Sequence, residues 1–303
     1  MPEPVIHPAA LPNGLSADEL RLHSDGSGMV ALDPARAGWR YLSFRALSLA
    51  DGEPEPLDPA SEHAVVLLAG GDARLDWPEG GRSVLSGRAS PFERLPSAWY
   101  VPVGSHAVVR AIAGRGFERT LIAIAGAPPS GRAGVAAAPL AIGPADVRVE
   151  VRGAGNATRQ INHIINPEFP ADRLEIVEVL TPSGNWSSWP PHKHDADDMP
   201  TEAVLEEIYY YRFGRPNAWG LQRLYRTDRS RDASWEVRTG DVLLVTDGYH
   251  PFVAAHGDDA YYLNALAGDR RTMACSFDPD LDWVRQTWAV TPSDPRVPLV
   301  RLR

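Results

Sequence analysis

Cysteine is nearly absent from this sequence, in which Cys275 is the only one among 303 residues. A single cysteine cannot form an intrachain disulfide, and free thiols are typical of reducing compartments. The first 14 residues lack a basic segment and are interrupted by four prolines, unlike a secretory signal peptide. No apolar run approaches the length that spans a bilayer. These absences predict a soluble cytoplasmic protein with no membrane partner.

The sequence also has no excess of positively charged residues. The formal net charge is −9 and the pI is near 5.5. Nucleic acids and anionic lipids are bound by clustered cations that displace counterions. We therefore expect no nucleic-acid partner, and an anionic small molecule has to meet a local cluster of positive charge.

Long runs of helical periodicity are scarce, whereas 26 glycines and 28 prolines are present. Such a composition is typical of short strands joined by turns, so the sequence predicts an all-β fold. Only two short helices are expected, at 16–23 and 278–288. Apolar runs predict strands at 39–49, 62–69, 99–112, 119–125, 147–152, 173–181, 206–213, 219–226, 241–246 and 260–267.

The stretch 126–143 is rich in alanine, glycine and proline, which indicates a linker. It separates two predicted domains, at 1–130 and 145–303, the second with a C-terminal tail. The halves share a weak internal repeat, because Val-x-x-Gly-x-His ends at His106 in the first and at His250 in the second. A glutamate heads an apolar strand before each motif, and we pair Glu62 with Glu207. A duplicated β-domain explains both matches.

Four residues of the second half are candidate metal ligands. His192 and His194 are two residues apart, so both imidazoles lie on one face of an extended segment. Glu207 can join them from the next strand, and His250 follows Gly248, which permits a tight turn. Three imidazoles and one carboxylate suit zinc, our first choice, or Mn, Fe or Ni, with positions left for water or substrate.

Taken singly, these residues have simpler explanations, since a His-x-His pair is often a surface pattern and a glutamate at a strand start is usually solvated. Their order carries more weight. His-x-His, then Glu, then Gly-x-His about forty residues on resembles the two cupin motifs, and cupins are jelly-roll barrels. The resemblance implies a bicupin, two tandem barrels. The 13 residues from His194 to Glu207 exceed the usual cupin gap, so the acidic segment 195–205 is either a flap over the barrel mouth or a solvated loop.

Longer runs carry a narrower resemblance. Thr181–Asp195 reads TPSGNWSSWPPHKHD and Glu206–Phe213 reads EEIYYYRF, and both Gly-Tyr-His-Pro and Tyr-Tyr-Leu-Asn follow. These runs are similar to the 5-deoxy-glucuronate isomerase family of bacterial inositol catabolism. The similarity covers nearly the whole chain and is most specific in residues 181–270. The 4-deoxy-5-hexosulose-uronate ketol-isomerases share the bicupin plan and are the nearest alternative.

The resemblance implies a metal-dependent aldose–ketose isomerase that converts 5-deoxy-D-glucuronate to 2-deoxy-5-keto-D-gluconate. One cation with open positions can polarise a carbonyl and the neighbouring hydroxyl together, while a base carries the proton. Candidate bases are a metal-bound hydroxide, Glu207, Asp247 and Tyr262. Their presence favours an enediol route over a hydride shift.

The carboxylate of such a substrate needs a cationic partner. Arg159, Lys193 and Arg223 lie nearest in sequence to the motif strands. Strand alternation turns Lys193 away from the histidines on either side of it, unless the segment is bent. Period two also places four more residues on inward strand faces, where they contact substrate or simply pack: Tyr209, Tyr211, Tyr262 and Asn264.

The first half has no His-x-His pair, so we expect no metal there. Glu62 and His106 are then structural, and His63, on the opposite face of its strand from Glu62, is expected at the surface. A cupin dioxygenase and a non-catalytic sugar-binding cupin are the rival functions, and a homo-oligomer stays open.

Overall fold

The computed structural model describes residues 15, 18–23, 29–78, 80–114 and 116–302. Within these ranges the only α-helix is α1, Val284–Thr287, beside two short 3-10 turns at Asp18–Leu20 and Pro34–Ala37. The predicted all-β class is confirmed. The expected helix at 278–288 is reduced to α1, and the one expected at 16–23 is a 3-10 turn that leads into a strand. Residues 16 and 17, and the first 14 residues examined for a signal peptide, lie outside the described ranges.

Ten of the first eleven strands form the first half of the fold, and the first strand joins a sheet of the second half. One antiparallel sheet has the order β11-β8-β5-β10-β3-β2 and a second has the order β4-β9-β6-β7. The sheets enclose an apolar core that includes Val65, Trp99 and Ile122. The strands are β1 (Arg21–Leu22), β2 (Val30–Leu32), β3 (Ser43–Ala50), β4 (Pro54–Pro56), β5 (Glu62–Gly70), β6 (Asp72–Trp77), β7 (Gly81–Leu85), β8 (Ala98–Val101), β9 (Val108–Ile112), β10 (Arg119–Ala127) and β11 (Leu140–Ile142).

The second half repeats this plan. Its large sheet has the order β1-β20-β17-β22-β14-β13-β12, a four-stranded sheet has the order β15-β21-β18-β19, and β16 pairs with β23. The strands are β12 (Arg148–Arg152), β13 (Arg159–Ile165), β14 (Leu174–Thr181), β15 (Trp186–Ser187), β16 (His192–Lys193), β17 (Glu206–Phe213), β18 (Gly220–Tyr225), β19 (Asp232–Val237), β20 (Val242–Val245), β21 (Phe252–Ala254), β22 (Ala260–Ala267) and β23 (Ser276–Phe277).

The connection between the halves is more structured than a linker. The stretch 126–143 begins inside β10 and ends in β11, which pairs with β8 of the first half. Conversely β1, near the start of the chain, pairs with β20 of the second half. The large sheet of the second half therefore includes a strand from the start of the chain, and the six-stranded sheet of the first half ends in a strand from the connection. The domain limits 1–130 and 145–303 stay predictions.

Two buried glutamates tie the halves together at their strand ends. Glu62, at the start of β5, accepts hydrogen bonds from the backbone N–H groups of residues 172–174 and from the hydroxyl of Tyr100. Glu206, at the start of β17, accepts from the backbone N–H groups of residues 40–42. The two arrangements are reciprocal. Each carboxylate accepts from three consecutive backbone N–H groups where a long strand of the opposite half begins, β14 for Glu62 and β3 for Glu206.

The strand register corrects the alignment of the repeat. His63 lies opposite Val101, just as Glu207 lies opposite Val245. The counterpart of Glu207 is therefore His63, and the pairing of Glu62 with Glu207 is wrong by one residue. The spacing now agrees, because 43 residues separate His63 from His106 and Glu207 from His250.

His63 is also not a surface residue. Only 5% of it is exposed, and it shares its strand face with Val65, which belongs to the core of the first half. His106, in contrast, lies in an exposed turn.

A buried ion pair reinforces the contact between the halves. Arg88, in the loop after β7, pairs with Glu178 of β14, and both side chains are almost completely buried. The hydroxyl of Tyr261 donates to the same carboxylate at 2.7 Å. Removing one partner would leave an uncompensated buried charge, so the cluster is satisfied only when the two halves are in contact.

Replacing Glu62 or Glu206 by glutamine should destabilise the protein by roughly 2–4 kcal/mol, because the amide NH2 group faces backbone donors and leaves them unpaired. Thermal unfolding followed by circular dichroism measures the effect. The matched control is Glu118→Gln, at an exposed position. Unfolding temperatures equal to the control would show that these contacts do not hold the halves together.

Candidate active site

Three of the predicted ligands converge inside the second barrel. The Nε2 atom of His194 lies 2.9 Å from Oε2 of Glu207, and the Nε2 atom of His250 lies 3.4 Å from the same oxygen. Ligand atoms of all three lie within 4.8 Å of one another, and all three residues are buried. This group is called the His-Glu-His cluster below.

The hydrogen bonds of the two histidines define which nitrogens face the cluster. Nδ1 of His194 lies 3.0 Å from the carbonyl oxygen of Leu205, and Nδ1 of His250 lies 3.0 Å from that of Gly248. A carbonyl oxygen only accepts, so each Nδ1 carries the proton. In the neutral rings both Nε2 lone pairs therefore point at the carboxylate of Glu207.

Such an arrangement fits a cation. A proton on Nε2 of His194 would satisfy the contact with Glu207, and although burial opposes it, the hydrogen bond to Glu207 raises the pKa of His194. That proton still leaves the buried Nε2 of His250 without a hydrogen-bond partner. Burial lowers the pKa of His250 to about 4, which keeps this ring neutral. A divalent cation would satisfy both nitrogens and the oxygen at once, while the carbonyl oxygens of Leu205 and Gly248 orient the two rings.

His192 lies beside this cluster on β16. Its ring centroid is 4.6 Å from that of His250 and 6.4 Å from that of His194. Burial, followed by the charges of the two neighbouring histidines, holds the pKa of His192 well below its usual range. The ring is thus a neutral donor at the edge of the cluster, and its role as a fourth ligand is part of the proposal below.

Gly248 has the role that the Gly-x-His motif predicts. Its φ is +82°, and a Cβ atom at this position would lie 2.4 Å from the carbonyl oxygen of Tyr225. Only glycine fits such a close approach at positive φ. The turn that aims His250 inward therefore depends on this residue.

The acidic segment 195–205 is held in place by an ion pair and by hydrogen bonds. Glu202 accepts from Nζ of Lys193 and from the backbone N–H groups of Asp195 and Ala196. Asp195 in turn accepts from the backbone N–H of Gly248 at 2.7 Å. Lys193 is thus turned away from the cluster, as strand alternation predicts, and holds the segment in place. Its position corrects the prediction that it binds substrate.

The cluster opens into a cavity of about 330 Å³. Arg159 lies in its wall and is 5% exposed. The Nη1 group of Arg159 donates to the carbonyl oxygens of Ala157 and Trp189, both at 3.1 Å. Among the described residues, no carboxylate forms an ion pair with it. The side chains and backbone that line the cavity are Arg152, Arg159, Trp189, His192, His194, Leu205, Glu207, Leu266, Met273, Ala274, Cys275, Phe277, Arg285 and Trp288.

An uncompensated buried guanidinium is costly, and burial lowers the pKa of Arg159 to about 10. The group still carries its charge near neutral pH. Arg159 is therefore a ready partner for a carboxylate that enters the cavity, and this part of the prediction agrees with its position.

A smaller space of about 50 Å³ continues from the cavity and shares Arg159, His192 and Glu207 with it. Tyr209, Tyr262 and Asn264 line this space, as their strand facing predicts. The hydroxyl of Tyr262 donates to Oγ of Ser187 at 3.0 Å. Burial raises the pKa of Tyr262, so the phenol holds its proton beside the cluster.

Three further predictions are corrected by the structure. Arg223 lies half exposed on β18 and forms an ion pair with Asp232 at 2.6 Å. Asp247 is buried between Arg226 and Arg231, which fix its carboxylate away from the cavity. Tyr211 is completely buried and bonds to Gln222, so it packs in the core rather than facing substrate.

Comparison with known proteins fits this geometry. A sequence model of the KduI/IolB family matches residues 17–284. The chain belongs to the KduI/IolB family. It is 37% identical to the 5-deoxy-glucuronate isomerases of Geobacillus kaustophilus and Geobacillus thermodenitrificans, over 87% of this chain and 93% of each relative. The family and these relatives identify the chain as an isomerase.

Solved structures agree with the family. The crystal structure of an IolB-like protein from Salmonella typhimurium matches with a TM-score of 0.80 and 35% identity, covering 88% of this chain and 99% of that one. The oxalate decarboxylase of Lactobacillus farciminis matches with a TM-score of 0.58 and 11% identity, covering 89% of this chain and 91% of that one, which shows the fold alone. The predicted cupin fold is confirmed. Among the described residues of this KduI/IolB protein, no helix is long and apolar enough to cross a membrane.

The sequence alone did not predict several residues that line the cavity of this KduI/IolB protein. Arg152, Met273, Arg285 and Trp288 reach the cavity from an edge strand, a loop and the C-terminal segment. None is part of the His-x-His, Glu or Gly-x-His pattern, and only the tertiary fold brings them together.

Glu175 is the least expected of the missed residues. It lies opposite Leu266, which in turn lies opposite Glu207, so all three share the inner face of the sheet. Both of its carboxylate oxygens are buried without a hydrogen-bond partner. Burial raises the pKa of Glu175 to about 7.

This carboxyl makes the stability of the protein depend on pH. In the unfolded chain it ionises near pH 4.5, but in the fold only near pH 7, so it opposes folding increasingly as pH rises between these values. The contribution amounts to roughly 2–3 kcal/mol between pH 5 and pH 8. Glu175→Gln should abolish this part of the pH dependence in thermal unfolding, whereas the exposed Glu118→Gln should retain it. Parallel pH profiles of wild type and E175Q would contradict the assignment.

Proposed function

We propose that this isomerase converts 5-deoxy-D-glucuronate to 2-deoxy-5-keto-D-gluconate, a step of inositol catabolism, with one divalent cation held by His192, His194, Glu207 and His250. Zinc is the first choice on the basis of the donor set, and Mn, Fe and Ni suit it as well. The observation that carries the proposal is the convergence of two imidazoles and a carboxylate at the wall of a cavity, which also contains a buried arginine without a carboxylate partner among the described residues.

The two parts of the cavity suit the two ends of a sugar acid. Arg159 can accept the carboxylate, since it has no anionic partner of its own among the described residues. The His-Glu-His cluster then meets the other end, where the aldehyde and neighbouring hydroxyl lie. A cation bound there supplies polarisation of these two oxygens.

The proton transfer is assigned to residues around the smaller space. Glu207 lines both the cavity and the smaller space and can serve as base if it is loosely coordinated. Tyr262 is held as a neutral phenol by burial and can donate to an oxygen that gains charge. Asp247, which is bound by two arginines, is excluded from this role.

The first test is metal content together with turnover. Purified protein should contain about one divalent metal per chain by elemental analysis, and should produce the ketose from 5-deoxy-D-glucuronate in an NMR assay. His250→Ala should lose metal and activity together, since it removes one of the converging donors. His106→Ala, on the exposed turn at the same position in the first half, is the matched control and should retain both.

Full activity after complete removal of metal would contradict the cation, and metal loss in His106→Ala would contradict its location. Oxygen uptake in place of isomerisation would instead indicate a dioxygenase. Binding of uronates without turnover would indicate a sugar-binding cupin.

Arg159 gives a second test. Arg159→Met should lower kcat/KM for 5-deoxy-D-glucuronate by about 10- to 100-fold, the value of one or two charge-assisted hydrogen bonds. Metal content should not change, because the arginine is not a ligand. Arg223→Met is the matched control, and unchanged kinetics in Arg159→Met would exclude it from carboxylate binding.

A further inference from the structure

The C-terminal segment, residues 285–302, lies beyond the part of the chain that the KduI/IolB model matches, yet it reaches the active-site cavity. Two of its residues, Arg285 and Trp288, line the cavity wall. Arg285 stands on α1, and Trp288 follows directly after that helix. The cavity is therefore completed by chain outside the matched region.

The segment is bonded to the strand that carries Arg159. The backbone N–H of Asp294 donates to Oγ1 of Thr158 at 2.9 Å. The side chain of Gln160 exchanges two hydrogen bonds with the backbone of Val300, at 2.7 and 2.9 Å. These contacts lie on both sides of Arg159. They fix the C-terminal segment relative to the carboxylate-binding side of the cavity.

Arg285 occupies the solvent end of the cavity. Its guanidinium carbon lies 4.2 Å from the ring centroid of Phe277, whose backbone pairs with that of His192. The only carboxylate paired with it among the described residues is Asp282, at 3.1 Å, and both side chains are about half exposed. A surface pair of this kind is weak, so the guanidinium is available to an anion at the cavity entrance.

Arg159 and Arg285 lie in different parts of the cavity, which suits them to different steps of substrate binding. Arg159 is buried at the inner wall, whereas Arg285 is exposed where a substrate enters. Because the protein as a whole carries a charge of −9, an anionic sugar needs local positive charge along its path. An exposed cation at the entrance acts mainly on association, and its effect is screened by salt.

We propose that Arg285 and Trp288 are specificity-determining residues of the isomerase, and this inference rests on the proposed uronate substrate. Arg285 attracts the carboxylate of an entering sugar acid and disfavours neutral sugars. Trp288, whose indole is half buried in the same wall, covers an apolar face of the bound sugar.

The test compares Arg285→Met with Arg301→Met in the metal-loaded full-length protein. Arg301 is an exposed residue of the same segment and lies outside the cavity, so it has the same charge change without the proposed contact. Arg285→Met should raise KM for 5-deoxy-D-glucuronate about 5- to 10-fold with little change in kcat, as expected for an exposed charge. Its kcat/KM should also depend less on salt concentration than that of the wild type. Arg301→Met should behave as the wild type does.

A binding measurement separates this inference from the proposed reaction. D-glucuronate serves as an anionic probe and D-glucose as its neutral counterpart, both titrated by calorimetry or NMR. Wild type should prefer the uronate, Arg285→Met should lose several-fold of that preference, and Trp288→Ala should weaken the binding of the uronate. If wild type binds the uronate but does not turn over 5-deoxy-D-glucuronate, the proposed reaction fails while Arg285 is still tested. Equal KM, salt dependence and uronate preference in wild type and Arg285→Met would overturn the inference.

Discussion

The reciprocal capture of backbone N–H groups by buried glutamates is the constraint from which the active site follows. Glu206 is fixed toward residues 40–42 by three hydrogen bonds. Adjacent residues of a strand point to opposite faces, so Glu207 must point into the second barrel. The first half thus sets the direction of a candidate metal ligand that lies in the second half.

The same register shows which residues of the first half stand at the positions of the candidate ligands. His63 lies where the second half has Glu207, and Ser43 lies where it has Glu175, since Ser43 pairs with Gly126 as Glu175 pairs with Leu266. The two glutamates of the second half thus correspond to a histidine and a serine in the first half. The two halves thus share a backbone plan but differ in the side chains at the positions of the candidate metal ligands.

Much of the fold could be read from sequence because its central strands are apolar. The predictions at 206–213 and 260–267 agree with β17 and β22. The strand β13 was missed because arginine, glutamine, asparagine and histidine occupy its buried positions. Their burial depends on tertiary partners such as Val300, and no local pattern signals these.

The sequence predicts those ligands that follow the spacing of the motifs. It does not predict the role of a side chain that forms ion pairs with residues distant in the chain. The turn at Gly248 and the cluster of His194, Glu207 and His250 follow from local sequence. Asp247 belongs to the same motif, but two arginines distant from it in the chain neutralise it. Arg285 carries no signal at all, because only the folded C-terminal segment brings it to the cavity.

The pairing of β1 with the second half limits which parts of the protein can change without loss of stability. Because β1 pairs with β20, the large sheet of the second half would lose an edge strand if the first half were removed. Loss of the first barrel would uncover the edge of β20 and leave Glu206 buried without its three backbone donors. Changes to the backbone of the first half should therefore also destabilise the candidate site in the second.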